Sequence, residues 1–292
     1  MVAEVEKLDP TFFQHVGETS LEEDEVIERQ LAPPGPGDPA AAEAFDKSLD
    51  GRSSRLVDYG VRAPEIIADA VRHVLGRLDL DDDAAIELVL DPARNSYRLE
   101  TLNVSTHTPL MRTLAHAHYT FRKKLSHAAD SQDQRHRRVP ASRPLLSRTV
   151  PGHVDVVEPE LIRHDPACHA LFTEAVEAAW DARARLLRAG VEPELALYLL
   201  PNALAVRFEQ SGSLLDLIHK WTLRTCLNAQ LEIWRASMDE IEQVRAVHPE
   251  LVSHVGPPCV VRGGHARPRC TEGSHFCGVP VWRSFPETER VL

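Results

Sequence analysis

The run Gln132-Asp133-Gln134-Arg135-His136-Arg137-Arg138 places four cationic or imidazole side chains in succession, in a chain with 44 Asp plus Glu against 33 Lys plus Arg and a net charge of −11. Such a concentration in an acidic protein suits an anionic partner. Each guanidinium offers a planar fork of donors that matches a phosphate or the carbonyl edge of a heterocycle. A neutral imidazole can donate to a ring edge without bringing fixed charge. Taken alone, the run reads as a solvated basic loop paired with the acidic surface, so its context must decide. A second candidate chemistry lies in the tail, where Cys259, His265, Cys270, His275 and Cys277 include enough donors for a zinc ion. Compact zinc sites pair ligands two to four residues apart, and only His275-x-Cys277 approaches that. Buried or free thiols, without metal, are therefore expected.

These residues need elements to hold them. A chain of 292 residues with 43% hydrophobic content can bury a real core. Five cysteines without an export signal argue against a disulfide framework. The amino terminus MVAEVEKLDP lacks the parts of a signal peptide and no apolar run has the length of a membrane span, so the expected location is cytoplasmic. The negative charge makes nucleic acid a poor partner. Residues 1–50, acidic and then rich in Pro, Gly and Ala, read as an extended or loosely ordered segment. RLVDYGVRAPEIIADAVRHVLGRL has helical spacing, AIELVLDP reads as a short strand and Tyr119–Phe121 as part of another. AADSQDQRHRRVPASRPLL, broken by Pro140 and Pro144, reads as a loop. Asp165-Pro166 opens a helix that Gly190 stops, PELALYLLP is a short helix and ALAVRFEQ a strand. LLDLIHKWTLRTCLNAQLEIWRASMDEIEQVRAV gives one long helix or two stacked ones. Trp180, Trp221 and Trp234 fall on helical patterns as core residues. The fold class is α+β, with a main domain over 51–255 and an irregular, Cys-rich tail over 256–292 packed on it.

Position decides the meaning of the basic run. His116-Ala117-His118-Tyr119-Thr120-Phe121 precedes Gln132, which in turn stands three residues before Arg135-His136-Arg137. That arrangement resembles the flavin-dependent thymidylate synthases of the ThyX type, whose signature begins with the same triplet. His107-Thr108-Pro109 is similar to the family's His-x-(Ser/Thr) entry. Leu200-Pro201-Asn202-Ala203-Leu204, Arg207-Phe208, Leu223-Arg224 and Ala229-Gln230-Leu231-Glu232-Ile233 resemble a second family block. Cys259, Cys270 and Cys277 resemble the cysteine-bearing tail of some bacterial members. The likeness spans about residues 105 to 280.

The resemblance implies an antiparallel sheet with helices, and active sites between subunits of a homotetramer. It also implies FAD, with methylenetetrahydrofolate and NADPH as co-substrates. For the flavin it points to His107, Arg135, His136 and Arg137, with His219 and Asn228 standing where the family has Asn and His. For the nucleotide it points to Gln132, Arg143, Arg207 and Arg224, and gives Arg224 the catalytic role of a cation beside O2 of uracil. The chain departs from the pattern at Leu145, where the family has Ser, at Arg143 in place of an acid, at Ser147 in place of a substrate-binding Arg, and at Leu197 in place of a nucleotide-binding Arg. Ser142 or Ser147 would take over the missing hydroxyl. The kept scaffold and rebuilt loop look closest to the uridylate C5-methylases of polyoxin-type nucleoside antibiotic biosynthesis, which act on UMP, dUMP or both. The alternatives are an ordinary dUMP-specific thymidylate synthase, a zinc-stabilised anion-binding protein, or an inactive paralogue.

Overall fold

A computed structural model of the chain describes residues 2–11, 36–100, 102–288 and 290. It divides into two units, Met1–Gly35 and Pro36–Leu292. In the first, helix α1 covers Val2–Leu8; the acidic SLEEDEVIER stretch expected to be loosely ordered lies outside the described residues.

The second unit opens with helix α2, Pro39–Ser48. This part of the segment expected to be loose is helical because Asp38 caps Ala40 N at 2.9 Å, Pro39 occupies the first turn and an Ala-rich run follows. Strand β1, Ser54–Tyr59, corrects the reading of helical spacing from Arg55 onward; the helix α3 covers only Ala63–Leu75. Leu56, Val57 and Tyr59 suit a pleated surface, and the partner strand supplies pairing that spacing alone does not reveal. Gly76 ends α3 in the left-handed region at φ 64°. AIELVLDP is also corrected, from strand to helix α4, Asp82–Leu90. Asp81 caps Ala84 N at 2.8 Å, and Asp82 and Asp83 favour the helix N-terminus.

Strand β2, His118–Ser126, runs straight into helix α5, His127–Asp133, so the stretch expected as a loop begins helical. Ser126 is the reason, its hydroxyl accepting from Ala129 N at 3.1 Å. Then come the short strand β3, Ala141–Ser142, the long helix α6, Pro166–Arg188, and strand β4, Ala205–Ser213. The remaining stretch resolves into two helices, α7, Leu214–Arg224, and α8, Leu231–Val247. The fold is α+β: one antiparallel sheet in the order β1-β2-β4-β3 with helices packed on it. Trp180 and Trp221 are buried and Trp234 is half-buried. The described residues from 256 onward form the short helix Pro258–Arg262 and two brief 3-10 turns, and are otherwise irregular. No helix among the described residues is long and apolar enough to cross a membrane.

Alternation along β4 separates its two faces. Val206, Phe208, Gln210 and Gly212 are buried, whereas Arg207, Glu209 and Ser211 are half-buried. On the buried side, Phe121 of β2 and Trp221 of α7 meet edge to face at 6.5 Å within the main core. A charged group sits inside that layer. Lys123 Nζ lies 3.3 Å from Asp133 and 2.8 Å from Glu240, and Lys220 Nζ lies 3.2 Å and 3.1 Å from the same two carboxylates, all four side chains being fully buried. Gln210 donates to Asp133 and accepts from Lys220, and Trp221 Nε1 donates to Glu240. Burial alone would raise both carboxyls, but the two ammoniums override it and hold Asp133 and Glu240 below the usual range. This balanced set locks the end of α5 against α7 and α8.

Candidate active site

The locked end of α5 presents the carbonyl of Gln132, its penultimate residue, toward the end of α7. Arg224 Nη2 donates to Gln132 O at 2.7 Å, and Arg224 Nε donates to His136 Nε2 at 2.9 Å. An imidazole that accepts at Nε2 keeps its proton on Nδ1. Burial first, then the positive charges of Arg224 and Lys220, push the His136 pKa down to about 3, so the ring is neutral at neutral pH. The His219 ring meets it edge-on at 5.9 Å and is also lowered, chiefly by burial. Gln132 Nε2 donates to Gln230 Oε1 at 3.2 Å, which ties the turn to the start of α8.

Either side of the buried His136, Arg135 and Arg137 are exposed. Neither pairs with an acid among the described residues. Arg138, the last member of the basic run, is held by Asp216 at 2.8 Å and donates to Thr106 at 3.2 Å. That bond brings the short turn Val104–His107 alongside the basic run, and Glu100 fixes the same turn by accepting from Val104 N and Ser105 N. His107, Gln132, Arg135, His136, Arg137, His219 and Arg224 therefore share one region. The two clefts bordering His219 offer only about 40 and 50 Å³. Small-molecule sites usually enclose ~300–1,000 Å³, so this region is an open face in a single chain.

The other expected ligands are placed differently. Arg143 Nε shares its N–H between both oxygens of Asp130, at 2.8 and 2.9 Å, with the guanidinium 4.8 Å over the Phe208 ring. Ser142 pairs through its backbone with Glu209 at the sheet edge and is exposed. Ser147 is buried, and its hydroxyl serves Glu194, whose carboxyl it lowers. Arg207 lies on the sheet face opposite Gln210, its fork filled by Asp46 at 2.7 and 2.8 Å and by Asp155 at 2.6 and 3.0 Å. Asn228 turns to the tail, donating to Glu272 at 3.1 Å and to the His275 carbonyl at 2.7 Å. In the tail, His265 and His275 are exposed. Among the described residues no group of three or more His, Cys, Asp or Glu stands so as to hold a metal ion.

Comparison with known proteins gives these residues a setting. Residues 55–250 match the family model described as thymidylate synthase complementing protein. A flavin-dependent thymidylate synthase of Geobacter sulfurreducens is 31% identical over 187 residues, covering 60% of this chain and 75% of that protein. Another, of Saccharolobus solfataricus, is 27% identical over 228 residues, covering 74% and 81%. A third, of Sulfurisphaera tokodaii, is 29% identical over 160 residues, covering 53% and 60%.

Proposed function

Because the chain belongs to the thymidylate synthase complementing protein family, we propose that it is a flavin-dependent methyltransferase that builds a methyl group onto C5 of a uridine nucleotide. The observation that carries this reading is the neutral, buried His136 held by Arg224 between two exposed arginines that pair with no acid among the described residues. That donor set fits FAD. Arg135 and Arg137 would take the phosphates as charge-assisted forks, and His107, His136 and His219 would line the ring edge. The flavin, when bound, supplies the hydride chemistry, with methylenetetrahydrofolate as carbon donor and NADPH as reductant.

The residues of the chain do the rest. C5 of uracil is a poor nucleophile until charge can develop across the ring, and a fixed cation beside O2 stabilises that charge. Arg224 has this role, with its orientation set by Gln132 O and His136. Its remaining donor directions are free to face a pyrimidine carbonyl. Orientation of the nucleotide against the flavin supplies further acceleration, so no side-chain nucleophile is needed. Because the site is an open face in one chain, we place its closure between subunits of a homotetramer. The nucleotide is UMP, dUMP or both: Leu145 and Leu197 alter the expected phosphate contacts, and the rebuilt loop is what favours a specialised, antibiotic-type C5-methylase over a dUMP-specific enzyme.

The test is turnover of UMP and of dUMP, separately, with the folate donor and NADPH, read as a product heavier by one methylene unit. Methylated product with either nucleotide supports the proposal. Flavin binding without product from either would leave a scaffold protein instead.

A further inference from the structure

Two arginines outside the basic run line one cleft beside His219, and neither pairs with an acid among the described residues. Arg98 lies in the turn Ser96–Leu99, which the Asn95 side chain starts by accepting from Tyr97 N at 3.1 Å. It is only 9% exposed. Its hydrogen bonds are long ones to backbone carbonyls, from Nε to Leu90 O at 3.3 Å and from Nη2 to His254 O at 3.4 Å, and Nη1 has no partner among the described residues. Burial alone pulls its pKa down to about 10, with no carboxylate to oppose it. Arg262 ends the helix Pro258–Arg262 and donates from Nη1 to the carbonyl of Leu99, the residue after Arg98, and from Nε to Pro268 O at 2.9 Å. Thr222 and Thr271 line the same cleft of about 50 Å³, and their hydroxyls hydrogen-bond to nothing among the described residues. Glu100 is the acid there, and its two oxygens accept from Val104 N at 2.6 Å and Ser105 N at 2.8 Å.

We propose that Arg98 and Arg262 form a subsite for one phosphate group beside His219. A buried guanidinium that ends on long bonds to neutral carbonyls is a net cost to the fold, and an anion in the cleft removes that cost. Two forked cations and two unused hydroxyls, brought by the turn Ser96–Leu99, the helix Pro258–Arg262, α7 and the tail, suit a tetrahedral oxyanion, which accepts from several directions at once. Withdrawal from solvent strengthens those contacts. The cleft has room for one such group and not for a heterocycle. His219 and Thr222 stand three apart on α7 and so share a face, and the His219 ring meets His136. The subsite therefore adjoins the candidate active site, yet it does not rest on the proposed methyl transfer. The phosphate is either free or part of a larger molecule that reaches into that site, and the recognition chemistry is the same.

The test is a thermal melt of the full chain in sodium phosphate and in sodium chloride of equal ionic strength, for the parent, Arg98→Met and Arg262→Gln. Phosphate should raise the parent melting temperature by about 2 °C or more, and the rise should fall by at least half in each variant. Phosphate held elsewhere, as on Arg135 and Arg137, acts equally on all three proteins and drops out of the comparison. In chloride, Arg98→Met should melt at or above the parent, because a buried charge without a counter-charge has been removed. If Arg98→Met fails to fold, Arg262→Gln, at a half-buried position, decides alone. Repeating the comparison with FAD, NADPH and UMP distinguishes the sources: the molecule that owns the phosphate binds the variants about tenfold more weakly, and an effect on none of them leaves free phosphate as the ligand. No rise in the parent, or an equal rise in parent and variants, would overturn the proposal. Neither result depends on turnover, so the proposed reaction stands or fails separately.

Discussion

Replacing Lys220 with methionine removes one charge from a buried set that otherwise sums to zero. Lys123, Lys220, Asp133 and Glu240 are fully buried and 2.8 to 3.3 Å apart across their ion pairs, so Lys220→Met leaves a net negative charge with no solvent to receive it. Breaking a buried pair in this way costs about 3–5 kcal/mol, a large share of the ~5–15 kcal/mol that stabilises most domains. For a domain of 150–250 residues each kcal/mol shifts the melting temperature by about 2–4 °C, so a fall of roughly 6–20 °C is expected. Glu240→Gln removes one negative charge while its amide oxygen can still accept from Trp221 Nε1. The double variant Lys220→Met, Glu240→Gln is again neutral and should be more stable than the sum of the two single losses predicts, by over ~1 kcal/mol. Calorimetry or urea melts at pH 7 read all three proteins. Additive losses, or a Lys220→Met protein as stable as the parent, would refute the argument that charge balance holds α5 in place.

Three further outcomes follow from the geometry. Arg224→Lys keeps the charge but not the fork that reaches both Gln132 O and His136; kcat should fall by ~10²-fold or more with little change in melting temperature, as read by steady-state turnover. His136 is depressed from its ordinary value of 6.5 to about 3, so the unfolded chain binds the extra proton first as pH falls. Its contribution is therefore complete above pH ~6.5 and is lost as pH drops toward 3, and His136→Asn should flatten the slope of stability against pH in that window. Gly212→Ala would bring a methyl to 3.1 Å from Val139 Cγ1 and 3.2 Å from Leu217 Cγ, an overpacking worth ~1–3 kcal/mol in a urea melt.

Much of the candidate site was legible because it is local. Gln132 and the Arg-His-Arg turn lie within six residues, and the block that contains Arg224 named a residue that the fold places beside them. The partners of Arg207 and Arg143 were not legible. Asp46 and Asp155 reach Arg207 from 161 and 52 residues away, and the sheet face that separates Arg207 from Arg224 follows from the register of β4, which spacing does not state. The same limit explains the misread elements. Residues 55–59 have a helical spacing that pairing with β2 overrides, and AIELVLDP is apolar enough to be either a strand or a buried helix until Asp81 caps it. Asp133, Lys123, Lys220 and Glu240 escaped because buried charge looks like surface charge in a sequence.

The claim on which the account turns is that Arg135 and Arg137, flanking a neutral His136, cradle the flavin. A titration of apoprotein with FAD, followed by absorbance, tests it in the parent and in the Arg135→Gln, Arg137→Gln double variant. The double variant should melt at the parent temperature and bind FAD at least about tenfold more weakly, since two charge-assisted contacts are lost. Equal affinity in the two proteins would place the flavin elsewhere and contradict the account.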